Sequence, residues 1–270
     1  KVLGLFKRYL LVGGMPDVVN EYLNSHNIVK VREVQEAIRE LYGVDASRYE
    51  ENAAKKLYIR RIYDMIPSQM ENKKKRIVAK DILDKKGERF SNYVEEFEYL
   101  INSGITIPSH AISNPRYPLA ESQQKNLLKL YMNDVGMLTS QLYHYNIQPI
   151  LNDIASINLG SVYESAVAQE LKAHYEKLFY YDNKQKGEVD FIVDDSDTMS
   201  VLPIEVKSGR DYTVHSALDN MMAIQDYNNV SSIVLSNERE IKTKGNVLYL
   251  PIYYVMFLEN KMPEKKSLYF

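Results

Sequence analysis

The spacing of apolar residues changes near residue 150, and this change constrains the fold more than any other feature of the sequence. Before that point apolar residues recur at the helical period, as in 31–42, whereas beyond it short apolar, β-branched segments predict strands. A polar, asparagine-rich stretch at 145–158 separates the two patterns. We therefore predict a helical region at 1–150 and a second domain, richer in strands, at 151–270.

The helical region is predicted to contain a winged-helix-like unit. Helices are expected at 31–42 and 53–65, and the second should end there because Pro67 disfavours helical backbone at the residue before it. Two further helical segments lead to strand-like residues at 105–107 and 127–132. Two helices followed by a hairpin is the order of elements in a winged helix.

The second domain is predicted to have the order α-β-β-β-α-β. The segments are a helix at 160–175, strands at 178–181, 188–193 and 201–207, a helix at 216–227 and a strand at 231–235. This order places the chain in the mixed α+β and α/β fold classes.

Three charged residues interrupt the second and third of these predicted strands. Asp190 is separated by fourteen residues from Glu205, and Lys207 follows two positions later. Because side chains alternate across a strand, Glu205 and Lys207 point to the same face. An antiparallel pairing of the two strands would bring Asp190 beside Glu205.

Such a group has an evident chemical use. Carboxylates supply the oxygen ligands that Mg²⁺ or Mn²⁺ prefers, so Asp190 and Glu205 are the predicted metal ligands. A bound cation polarises a phosphoryl oxygen and acidifies a water, and the Lys207 ammonium group can stabilise developing negative charge. The alternative is a solvated hairpin. The apolar residues around the three charges, among them Phe191 and Ile204, favour a functional site.

The pattern Asp-x(14)-Glu-x-Lys, preceded by a helix with an early glutamate, resembles the PD-(D/E)XK nuclease superfamily. Four segments resemble the C-terminal half of prokaryotic AAA+ ATPases that end in a domain of unknown function: YLLVGGMP at 9–16, KLYMNDVG at 129–136, GEVDF at 187–191 and IEVKSG at 204–209. The resemblance spans nearly the whole chain. It implies a winged-helix-like region followed by a PD-(D/E)XK nuclease-like αβββαβ domain, with DNA and an ATP-binding N-terminal AAA+ module as partners.

The resemblance also implies a catalytic carboxylate in the first helix of the nuclease-like domain. Glu164 matches that motif, as an accessory metal ligand or an acid that positions the base, and Glu170 is the competing candidate. The two residues are six positions apart, which is about 120° around a helix, so they should not both face one metal ion. Periodicity does not choose between them, and a solvated helix glutamate is the alternative for each.

The sequence departs from that family in one respect. It lacks the phosphate-binding loop Gly-x(4)-Gly-Lys-Ser/Thr. The chain also begins at Lys1 rather than at a methionine. We therefore expect a fragment that does not hydrolyse ATP and whose ATP-binding module belongs to the intact protein.

The amino-acid composition excludes several kinds of site and partner. No cysteine is present, which excludes cysteine nucleophiles, cysteine-ligated zinc and iron–sulfur clusters, and favours the cytoplasm. No apolar run approaches the roughly 20 residues that cross a bilayer, so no membrane association is expected. The net charge of −2 provides no general basic field, and DNA would have to be bound through a local patch.

The densest basic stretch falls in the predicted winged-helix-like unit. Its basic residues are Lys73, Lys74, Lys75, Arg76, Lys80, Lys85, Lys86 and Arg89. They are the candidate contacts to DNA phosphates, and a solvated loop is the equally weighted alternative.

These features predict a Mg²⁺- or Mn²⁺-dependent endonuclease that acts on DNA. The alternative is a noncatalytic module that binds DNA or protein for the AAA+ module. The intact group of Asp190, Glu205 and Lys207 favours the enzyme, and the low net charge favours the binding module. The sequence gives no indication of the oligomeric state.

Overall fold

The computed structural model describes residues 1–48, 52–72, 75–152, 159–209, 211–224, 227 and 231–259. Helices dominate the N-terminal part of these residues, and a mixed sheet dominates the C-terminal part. The expected mixed α/β class is therefore confirmed. None of the described helices combines the length and the hydropathy needed to cross a membrane.

The helices are α1 (Val2–Val12), α2 (Pro16–Ser25), α3 (Ile28–Arg48), α4 (Ala53–Glu71), α5 (Ala79–Leu83), α6 (Val94–Asn102), α7 (Val135–Tyr143), α8 (Gln148–Leu151), α9 (Gly160–His174) and α10 (Ser216–Met222). The strands are β1 (Thr106–Ile112), β2 (Gln123–Met132), β3 (Leu178–Asn183), β4 (Gly187–Asp195), β5 (Ser200–Lys207), β6 (Ser232–Ser236), β7 (Lys242–Lys244) and β8 (Val247–Pro251). The elements α9, β3, β4, β5, α10 and β6 follow one another in the predicted order.

The chain divides into two compact units. The N-terminal unit comprises Lys1–Pro108 and Leu128–Gln169, and the C-terminal unit comprises Ser109–Leu127 and Glu170–Phe270. The division therefore runs through β1, β2 and α9 rather than at a single point near residue 150.

A hydrogen-bonded junction joins the start of the N-terminal unit to α7. The Asp134 carboxylate caps α7 by accepting the N–H of Met137 at 3.1 Å, and it accepts the N–H of Gly14 at 2.6 Å. Gly13 has a φ of +77°, and a Cβ there would lie 2.0 Å from Asp134 Oδ1. Two of the segments that carry the family resemblance thus meet at a contact that only glycine allows.

Helix α4 continues through Pro67 instead of ending before it, so this part of the sequence prediction is wrong. Proline removes one helical N–H and crowds the preceding turn. One face of α4 is buried, including Ile59, Ile62 and Ile66. Burial of each aliphatic side chain contributes about 1.5–3 kcal/mol, which is enough to offset the cost of the proline.

The sheet is mixed, with the strand order β2-β1-β3-β4-β5-β6-β8-β7. The strands β3, β4 and β5 are antiparallel neighbours, whereas β1 runs parallel to β3, and β5, β6 and β8 are mutually parallel. The two strands expected to form a separate winged-helix hairpin therefore extend the sheet. Leu218 and Met221 of α10 form a core with Val189, Val201 and Val234 of the sheet.

Candidate functional site

A β-bulge lies at Asp190. The pairing of β3 with β4 shifts by one residue, so that Asp190 and Phe191 together oppose Tyr180. A bulge redirects side chains and is over-represented beside active sites. Here it allows Val189 and Ile192 to join one core, although strict alternation would send them to opposite faces.

Strand β5 carries Glu205 and Lys207 beside Asp190. Continuing the antiparallel register of β4 and β5 places Asp190 and Glu205 in facing positions. Asp190 Oδ2 accepts the backbone N–H of Val206 at 2.8 Å. Lys207 Nζ lies 2.8 Å from Glu205 Oε1. The structure thus brings the three side chains together.

Glu205 is held in an environment that disfavours its charge. It is 6% exposed, and burial together with the negative charge of Asp190 raises the pKa of Glu205 to about 8. The Lys207 ammonium group and the N–H of Asp190 act in the opposite direction without cancelling the rise. Glu205 Oε2 is buried and has no hydrogen-bond partner among the described residues. Without a cation, Glu205 therefore favours its protonated, neutral form, and a bound cation would be needed to stabilise both carboxylates in the ionised form.

This arrangement fits a divalent cation. Carboxylate oxygens are hard ligands, and Glu205 Oε2 has no other partner within the described ranges. In the part of the chain that the structure describes, no group of three or more histidine or acidic side chains could hold a metal ion. Mg²⁺ is commonly held by one or two carboxylates and completes its coordination with water and substrate phosphates. A cation at Asp190 and Glu205 would depend on those further ligands.

The neighbouring strand β6 adds a polar residue to this group. By register, Val234 lies beside Glu205, and Ser236 lies beside Lys207. Ser236 is fully buried and was not predicted from the sequence. The serine that follows the apolar residues 233–235 of this strand is the signal that could have identified it.

Glu164 lies in the N-terminal unit among cationic and hydroxyl groups. Its Oε1 accepts hydrogen bonds from Lys129 Nζ at 3.1 Å and Tyr131 OH at 2.6 Å, and Lys75 Nζ donates to its Oε2. Burial raises the pKa of Glu164, but the two ammonium charges and the hydrogen bonds outweigh burial and lower it to about 2. Both of its oxygens are therefore occupied by protein donors. Glu170 lies later in α9 and is partly exposed.

The basic stretch of the N-terminal unit is only partly available to a nucleic acid. Lys75 is held by Glu164, and Lys85 lies 3.8 Å from Glu88. The exposed members are Lys80, Lys85, Lys86 and Arg89, and Arg76 is half-buried. Lys73 and Lys74 lie outside the described residues.

Comparison with known proteins identifies two family models that match the chain. A domain of unknown function, DUF4143, matches residues 159–255, which include Asp190, Glu205 and Lys207. No curated protein and no solved structure matches the sequence. A second domain of unknown function, DUF8612, matches residues 3–145. Because this second match covers more than half of the 270 residues, the chain belongs to the DUF8612 family.

Proposed function

We propose that the C-terminal unit is a metal-dependent phosphodiesterase that cuts DNA. The observation that carries this proposal is the facing pair of Asp190 and Glu205, in which one buried carboxylate oxygen has no partner among the described residues. These two residues would hold Mg²⁺ or Mn²⁺. The element order from α9 to β6 supports a PD-(D/E)XK nuclease-like fold for this part of the chain.

The residues of the group have distinct roles in this reaction. The N–H of Val206 orients Asp190, which would hold the cation together with Glu205. When bound, the cation supplies polarisation of a phosphoryl oxygen and a more acidic water. The Lys207 side chain is 28% exposed, so its ammonium group can reach a phosphate oxygen and stabilise the charge that develops there.

Glu164 has a structural role in this proposal. Its carboxylate already balances the ammonium groups of Lys75 and Lys129, so little negative charge remains for a cation. A role as accessory metal ligand would require these buried contacts to open, which is costly because it leaves charges uncompensated.

DNA and an ATPase module are the proposed partners. The exposed side chains of Lys80, Lys86 and Arg89 are suited to contact phosphates of the DNA backbone. Domains described by the DUF4143 model are commonly associated with AAA-type ATPases. We infer that the chain works with such an ATP-binding module, and that α5, α6, β1 and β2 correspond to the expected winged-helix-like unit.

A cleavage assay tests the enzymatic proposal. Supercoiled, linear and branched DNA would each be incubated with the chain and Mn²⁺. Lys207→Ala should slow cleavage by about 10²-fold or more, which is typical for loss of one group that stabilises transition-state charge. Lys242→Ala is the matched control, because Lys242 is also a strand lysine near a glutamate, Glu238. Equal cleavage by wild type and Lys207→Ala would contradict the assigned role.

A noncatalytic DNA-binding module is the second candidate function. It is favoured by the exposed basic residues Lys80, Lys86 and Arg89, which could contact DNA phosphates without any cation. In that case DNA would bind with an affinity that falls steeply with salt, yet neither Mg²⁺ nor Mn²⁺ would support cleavage. Lys207→Ala would then leave the binding unchanged.

A further inference from the structure

The N-terminal unit contains a cavity of 410 Å³ next to a buried arginine. Arg32 of α3 is only 5% exposed, and it lines the cavity together with Arg39, Glu36, His144 and Tyr145. A cavity of this size is in the range of sites that bind small molecules.

The Arg32 guanidinium group is held in one orientation by uncharged oxygens. Nε donates to the carbonyl of His144 at 2.7 Å, and Nη1 donates to the carbonyl of Leu11 at 3.0 Å and to Gln35 Oε1 at 2.7 Å. The third nitrogen, Nη2, is buried and has no hydrogen-bond acceptor among the described residues. Two N–H donors of a rigid, positively charged group are therefore unused.

The charge of Arg32 is also uncompensated. The nearby ion pairs join Arg39 to Glu36 and to Asp64, and among the described residues no carboxylate pairs with Arg32. Burial alone lowers the pKa of Arg32 to about 10, and no neighbouring acid opposes this effect. A buried charge is costly unless it is paired, so an arginine kept in this state beside a cavity indicates an anionic occupant.

We propose that this cavity binds a phosphate group. Its lining carries Arg32 and Arg39 against the single carboxylate of Glu36. Arg39 is already paired with Glu36 and with Asp64, so the uncompensated positive charge beside the cavity is that of Arg32. Guanidinium groups suit phosphate because their planar array of N–H donors matches its oxygens. Arg39, whose side chain is 24% exposed, would donate to the ligand oxygens, and the uncompensated charge of the buried Arg32 would add to the attraction.

Tyr145 allows free inorganic phosphate to be distinguished from the phosphate group of a nucleotide. Its side chain lines the same cavity and is 60% exposed. An aromatic ring placed beside a phosphate site can stack on a nucleobase. Adenosine monophosphate should therefore bind more tightly than inorganic phosphate, and Tyr145→Ala should remove this difference while leaving the affinity for inorganic phosphate unchanged.

Thermal unfolding of the full chain in inorganic phosphate, against chloride at equal ionic strength, tests the site. The Tm of the wild type should rise with phosphate and then saturate. Arg39→Gln should weaken the apparent affinity about tenfold or more, as expected for loss of a charge-assisted hydrogen bond. Glu36→Gln should strengthen it by removing the opposing charge. Lys30→Gln is the control, because Lys30 is an exposed cation of the same helix and is not part of the cavity lining.

Opposite changes for Arg39→Gln and Glu36→Gln, with no change for Lys30→Gln, would support the site. If phosphate raised the Tm of all of these proteins equally, the proposed site would be overturned. Phosphate would then stabilise the folded state only because it is excluded from the protein surface as a whole. Arg32→Lys is not a clean test, because lysine cannot make the hydrogen bonds that Arg32 donates to the carbonyls of His144 and Leu11. Arg32→Ala is unsuitable because Arg32 also holds the backbone at Leu11.

Discussion

The ammonium group of Lys129 lies 3.1 Å from Glu164 Oε1, and the two side chains are 0% and 1% exposed. The contact joins β2 to α9 within the N-terminal unit. Burial of an ion pair removes both charges from water, so the pair stabilises the fold only while both partners are present.

Glu164→Gln should therefore destabilise the protein by about 3–5 kcal/mol, because Lys129 would remain buried without a counter-charge. Urea unfolding at neutral pH measures the loss of free energy. Glu170→Gln, on the same helix but partly exposed, is the control and should have a much smaller effect. Similar unfolding midpoints for the two variants would show that Glu164 does not compensate a buried charge.

The carboxylate of Glu164 also makes the free energy of unfolding depend on pH. The pKa of Glu164 is about 2 in the folded protein and 4.5 ordinarily, so between these values the unfolded chain binds more protons. Its contribution should be fully present above pH 4.5 and should be lost as the pH falls towards 2. Urea midpoints measured from pH 6 to pH 3 should fall more steeply for wild type than for Glu164→Gln. Parallel curves for the two proteins would contradict this assignment.

Mn²⁺ should raise the Tm of the wild type if Asp190 and Glu205 hold a cation. At ten times the Kd the stabilisation is about 1.4 kcal/mol. Asp190→Asn should abolish most of this shift, while an amide oxygen can still accept the N–H of Val206. Without metal, Asp190→Asn should be at least as stable as wild type at neutral pH, because a charge that disfavours ionised Glu205 is removed.

The control for the metal experiment is Glu188→Gln, on the same strand as Asp190. It should keep most of the Mn²⁺-induced rise in Tm. Equal stabilisation of wild type and Asp190→Asn by millimolar Mn²⁺ would mean that these carboxylates form no specific site, and the binding-module function would then be preferred.

Gly13→Ala should be more damaging than the same substitution at Gly104, a second glycine with a similar φ. Gly13 and Gly104 have φ values of +77° and +74°, but only at Gly13 would a Cβ collide with Asp134. Gly104→Ala should cost about 1–2 kcal/mol from backbone strain. Gly13→Ala should cost about 1–2 kcal/mol more, because the ψ of −164° at Gly13 is essentially restricted to glycine and because the Asp134 cap of α7 is displaced as well. Denaturant unfolding compares them, and equal losses would exclude the close contact.

Local patterns in the sequence determined the features that depend on backbone geometry alone. The apolar, β-branched segments located β3, β4, β5 and β6, and alternation along β5 placed Glu205 and Lys207 on one face. Alternation is a property of any extended backbone, so it can be inferred without knowledge of the neighbouring strands. For this reason the candidate site could be predicted before the strand register was known.

Tertiary packing decided the features that join distant segments. Helix α4 passes through Pro67 because one of its faces is buried, which the local effect of proline does not reveal. Glu164 acquires Lys129 and Lys75 as partners from 35 and 89 residues away in sequence. Helical periodicity shows which positions share a face of α9, but not which surface covers that face. The environment of Glu164 is therefore set by long-range packing, because the energy of a buried charge depends on the groups that the fold brings to it.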